Sequence, residues 1–121
     1  MRGAIKSTLV ILPLLLGACQ QRAPQTTPAT QEAQSHQIAA LIAGTRYLKT
    51  QCAYPGLPSD GQIEQAAYGA AHQRGWTLPG GLGDRSENLY QQLLRDKTPQ
   101  ATQCEEFRQL LQPFITTLPR A

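Results

Sequence analysis

Apolar residues recur along most of this chain at helical rather than alternating spacing. Ile38, Leu41, Ile42, Thr45, Leu48 and Cys52 form one stripe and predict a first helix from Glu32 or Gln37 to Gln51. Pro55 and Pro58 bound the connection that follows. Ser59 and Gln62 then make a capping box, and a second helix runs to Arg74, where Gly75 stops it. The inward face of that helix is small: Ile63, Ala66, Ala67, Ala70 and Ala71. Trp76 follows as a plug for the end of the core. Residues 78–83 read as a Gly-rich loop without the Gly-Lys-Ser/Thr of a phosphate cradle. Asp84 and Glu87 fit a second capping pattern, opening a third helix with Leu89, Tyr90, Leu93 and Leu94 on its apolar face. Thr98-Pro99 opens a fourth, with Pro99 in the first helical position. Its stripe is Cys104, Phe107, Leu111 and Phe114, with Leu110 and Ile115 beside it, and Pro113 kinks or ends it. The fold class is all-α, four helices, with no strand-like segment.

The N-terminus follows a different pattern. Arg2 and Lys6 precede the apolar run Leu9–Leu16. That run is shorter than the roughly 20 residues a spanning helix needs. A basic start and a short apolar core make an export signal. Its end, Leu16-Gly17-Ala18-Cys19, resembles the lipobox of bacterial lipoproteins. The resemblance implies a signal peptide over 1–18 and a mature chain that begins at an acylated Cys19. An ordinary cleaved signal, with Cys19 a bystander, is the alternative. Gln20 in place of Asp is, by the same resemblance, the mark of outer-membrane sorting.

Removal of the signal changes the charge. The whole chain carries eleven Lys and Arg against eight Asp and Glu. Without Arg2 and Lys6 the balance falls to +1, which leaves no basic footprint for nucleic acid. Residues 19–36 are rich in Gln, Thr, Ala and Pro, with no large apolar side chain after Cys19. They read as an acylated, flexible linker, its C-terminal part able to extend the first helix, and residues 37–121 as a single domain. Assigning Cys19 to lipid leaves Cys52 and Cys104 as an even pair in an oxidising compartment. Their disulfide closes a loop of about 50 residues, worth roughly 4 kcal/mol. Free thiols or a metal site compete with that reading, but only His36 and His72 could complete a ligand set.

Catalytic chemistry has little material. His36 falls in the linker and His72 late in the second helix. Ser59 and Ser86 are accounted for by helix starts. Glu105 and Glu106 are adjacent, so they point about 100° apart on a helix. No acid, base and nucleophile converge, so no enzyme, cofactor or metal is expected.

Four blocks carry a family resemblance. They are Tyr47-Leu48-Lys49-Thr50-Gln51-Cys52; Ile63 to Ala71 with Arg74-Gly75-Trp76; Leu89 to Pro99; and Gln103 to Phe107 with Leu111 to Ile115. In this order, behind a lipobox, they resemble the PulS/OutS-type pilotins of type II secretion systems over residues 37–118. The resemblance implies a four-helix outer-membrane lipoprotein with one disulfide. It also implies a partner, the C-terminal segment of a secretin subunit, which becomes helical in a groove, and a route through the lipoprotein sorting machinery. A helix-in-groove partner needs an apolar trough. The surplus of large apolar residues on the first and third helices places that trough between them, with a contribution from the fourth. Leu41, Ile42, Thr45, Leu48, Leu89, Leu93 and Leu94 are its expected lining. A generic periplasmic binding module on the same scaffold is the alternative function.

Overall fold

A computed structural model describes residues 27–121; the signal and Cys19 lie outside the described residues. The elements are α1 (Pro28–Gln51), α2 (Asp60–Gln73), α3 (Leu82–Arg95), α4 (Gln100–Leu110) and the single turn α5 (Gln112–Ile115). No described helix is long and apolar enough to cross a membrane.

The first helix is longer than its apolar stripe. It starts at Pro28, so residues 28–36 are helix rather than flexible linker. The cause is local. The Thr27 hydroxyl accepts from the Thr30 N–H at 3.0 Å, and Pro28 occupies the first turn, where its missing N–H costs nothing. Ala29, Glu32, Ala33 and Gln34 are strong helix formers. Glu32 then accepts from both terminal nitrogens of Arg85, and Ser35 is buried, so this extension is packed on the body.

α1 is the hub. α2, α3 and α4 each pack on it, more than on one another. Its residues 42–45 are consecutively buried, as in a helix covered on most sides. One core joins Ile38, Ile42 and Leu48 to Ile63 and Ala67 of α2, Leu82 of α3, and Leu111, Phe114, Ile115 and Leu118. A second cluster gathers Ala43, Tyr47, Tyr90 and Cys104. There Tyr47 meets Phe107 edge to face at 5.5 Å, and Cys52 is disulfide-bonded to Cys104.

Several helix ends follow the local chemistry. Ser59 and Gln62 form the reciprocal capping box. Gly75, at φ +75°, closes α2 with paired bonds, Gly75 N–H to His72 and Trp76 N–H to Ala71. Trp76 packs half-buried against the core. Pro113 ends α4, and the chain restarts as α5.

Two helix starts differ from expectation. α3 begins at Leu82, behind Gly81 at φ +88°, not at Asp84. Leu82 is 2% exposed, and its burial draws the helix start forward. Glu87 does not cap; it binds Arg46 of α1. In α4, Pro99 is the N-cap rather than the first helical residue.

Gly44 permits one close approach. A Cβ there would lie 2.9 Å from Cδ1 of Leu111, which is itself buried. Gly44→Val should therefore lower stability in urea denaturation by about 1–3 kcal/mol, the usual cost of overpacking. An unchanged midpoint would mean that Leu111 repacks freely.

Candidate functional site: an apolar groove

Two helices, α3 and α4, leave a groove open above α1. Its floor is Ala40, Leu41, Ala43 and Gly44. One wall is Leu89, Gln92 and Leu93 of α3; the other is Phe107, Leu110 and Leu111 at the end of α4. His36 and Gln37 line it from the first half of α1, and Asp96 from the residue after α3. Each contribution is one helical face. On α3, positions 89, 92 and 93 repeat at i, i+3 and i+4, with Asp96 one residue past the helix end; on α1, positions 37, 40, 41 and 44 repeat at i, i+3, i+4 and i+7, with 36 and 43 flanking them. The small floor residues give the groove its depth. Its volume is about 450 Å³, within the range of binding clefts.

Leu110 decides how the groove reads. It is 73% exposed, the most exposed large apolar side chain among the described residues. A leucine left in water at the lip of an apolar trough is surface awaiting cover.

This groove lies among the helices expected to frame a partner trough, and its lining differs in part from the expected one. Leu41, Leu89 and Leu93 line it. Ile42, Thr45 and Leu48 do not; they are at most 3% exposed and belong to the core around α1. Leu94 is 42% exposed but lies outside the groove. The residues missed are Ala40, Ala43, Gly44, Phe107, Leu110 and Leu111. Leu110 had a signal, because it sits beside the α4 stripe rather than in it.

Charge borders the groove at one place. The Asp96 carboxyl is held below the usual carboxylate range by hydrogen bonds from Thr98, side chain and backbone; the Thr98 N–H donates at 2.8 Å. Burial raises the Tyr47 phenol, with Asp96 and Tyr90 adding to it. A cluster of charged side chains lies across α1 from the groove. There Arg46 donates to Glu87 at 2.7 Å, approaches Asp60 at 3.5 Å and covers the Tyr90 ring at 4.1 Å. Hydrogen bonds from Arg46 and Gln91 lower the Glu87 carboxyl. The Tyr90 hydroxyl meets Thr50 at 2.7 Å. These contacts pin α3 to α1 and so hold one wall in place.

A second cleft, about 580 Å³, lies between α2 and the α4–α5 end, lined by Ala66, Gly69, Ala70, Gln73, Arg74, Phe114 and Thr117 among others. It shares Leu41 and Leu110 with the groove. Its α2 side is built of small and polar residues, so it offers a partner less apolar surface there.

The comparisons agree with this architecture. Residues 16–116 match the family described as type II secretion system pilotin lipoprotein (PulS_OutS). The chain is 45% identical over 109 residues to the pullulanase secretion protein PulS of Klebsiella pneumoniae, covering 87% of each. It is 41% identical over 114 residues to the pilotin OutS of Dickeya dadantii, covering 87% of this chain and 86% of that one. A solved structure described as a pilotin/secretin peptide complex superposes with a TM-score of 0.69 at 43% identity, over 74% of this chain and 95% of the other. With the helices, the disulfide and the groove all in hand, this chain belongs to the PulS/OutS family of type II secretion system pilotin lipoproteins.

Proposed function

We propose that this chain is a pilotin that holds the C-terminal segment of a secretin subunit as a helix in the groove between α1, α3 and α4. The open apolar trough with Leu110 at its lip is the observation that carries this reading. The similarity to a protein solved with a secretin peptide supports it. The groove lining repeats over residues 36–44 of α1, about 12 Å of helix rise, enough to seat two turns of a partner. Binding an unfolded segment costs a few kcal/mol of ordering, which apolar burial in the trough offsets.

Acylation of Cys19 supplies the second half of the function. Two or three acyl chains give stable membrane attachment, and the sorting machinery then carries the loaded pilotin to the outer membrane. Because α1 starts at Pro28, only eight chain steps join Cys19 to Thr27. Their full reach is about 28 Å, so the groove stays close to the bilayer. That is roughly half the reach of a tether running to residue 36.

The test is a titration of the mature protein with a synthetic peptide of the cognate secretin C-terminus. Far-ultraviolet circular dichroism should show helix in excess of the sum of the separate components, saturating at one peptide per protein. Additive spectra at saturating protein would overturn the groove reading. Mass spectrometry of the membrane-extracted protein tests the anchor, with an unmodified residue 19 as the contrary result.

A further inference from the structure

The groove has one fixed charge and no complement to it. Asp96 is the only carboxylate among its lining residues. The polar side chains that α1 contributes are His36 and Gln37, with no acid. Within the described residues, Asp96 forms no ion pair. Its chain neighbours Arg95 and Lys97 neither line the groove nor pair with it. One oxygen, Oδ1, accepts from the Thr98 N–H, so the carboxylate is held in place by the turn between α3 and α4. Thr98, through its N–H and its hydroxyl, is a neutral donor to the carboxylate, so the negative charge itself has no cationic partner within the described residues and is stabilised otherwise by water.

A helix laid along Leu89, Leu93 and Phe107 removes part of that water. Covering an ionised carboxylate without a partner is costly, and a purely apolar helix offers no partner. A cation at that end of the helix converts the cost into attraction, since a charge pair sheltered at the edge of an apolar contact is screened less than one in open solvent. The inference rests on the groove being the secretin site. We propose that Asp96 is a specificity-determining residue of the groove, and that it accepts a Lys or Arg side chain of the docked helix at the end formed by the α3–α4 turn. The pilotin then discriminates by charge placement as well as by greasiness. An apolar helix of the same size with an acid at this end is rejected.

The variant is Asp96→Asn, which keeps an oxygen for the Thr98 N–H and removes only the charge. Calorimetric titration uses the cognate secretin C-terminal peptide and a set in which each Lys and Arg is replaced singly by Gln. Asp96→Asn should weaken binding about threefold to tenfold, with the difference shrinking in about 0.5 M salt. One replaced peptide should lose the same factor on the wild-type protein and nothing further on Asp96→Asn. Asp96→Lys with the same peptide position changed to Glu should recover affinity. Equal affinity of wild type and Asp96→Asn, or basic replacements that cost the same on both proteins, overturns the assignment while leaving the groove intact. No binding by the wild-type protein overturns the groove reading itself, and this inference with it.

Discussion

Leu110→Asp should abolish most secretin-peptide binding while leaving the melting temperature within a degree or two of wild type. The side chain is 73% exposed and contributes little to the folded core, so its loss has little effect on the free protein. In the complex it would be covered. Burying a leucine contributes about 1.5–3 kcal/mol, and a carboxylate in its place adds a desolvation cost on top. Together these correspond to a loss of about 100-fold or more. Two controls separate the groove from other surfaces. Leu94→Asp alters a leucine that is also exposed but lies off the groove. Gly69→Asp places a charge in the second cleft, where an added Cβ meets nothing within 4 Å. Both should bind the peptide as wild type does. Equal weakening by all three would mean a nonspecific charge effect. Loss by Gly69→Asp as well as Leu110→Asp, with Leu94→Asp binding normally, would move the partner to the second cleft, which Leu110 also lines.

Reducing the disulfide should lower the melting temperature by about 15 °C or more. Cys52 and Cys104 are 52 residues apart, a loop whose closure is worth about 4 kcal/mol in the unfolded chain. For a domain of this size each kcal/mol shifts the midpoint by about 4–8 °C. The same loss should appear in Cys104→Ser, with an added penalty because Cys104 is buried beside Tyr47 and Tyr90. The effect reaches the groove as well. α4 supplies a whole wall and is held at its start by this bond and by the Gln100 side chain, which donates to the carbonyl of Gln51 at 2.6 Å. Without the bond, the start of α4 is left to the Gln100 hydrogen bond and to packing such as Tyr47–Phe107, and peptide affinity should fall along with stability. Thermal melts with and without reductant measure the first effect, and calorimetric titration of the reduced protein below its midpoint measures the second. An unchanged melt would show that packing on α1 suffices.

Much of this protein is local, and local chemistry is readable. The Ser59–Gln62 box, the Gly75 stop and the Pro113 break each involve neighbours within a turn, and each stands where the residues said it would. Where the reading went astray, a distant contact overrode a local signal. Glu87 had the spacing of a capping residue, but Arg46, 41 residues earlier, takes it. Residues 28–36 had the composition of a linker, but Arg85 and the burial of Ser35 hold them as helix.

The groove shows the same division at the level of function. Counting the cysteines paired Cys52 with Cys104, and periodicity along the chain set the all-α class and the apolar surplus on the helices that line the groove. It could not determine which side of α1 would be covered. Leu41 and Ile42 are equivalent in any sequence pattern, adjacent and equally apolar. One lines the groove and the other is core, because α2 and α3 close over Ile42, whereas α3 and α4 stand apart above Leu41. A helix's sequence states how much apolar surface it presents. Only the arrangement of its neighbours decides which of that surface remains for a partner.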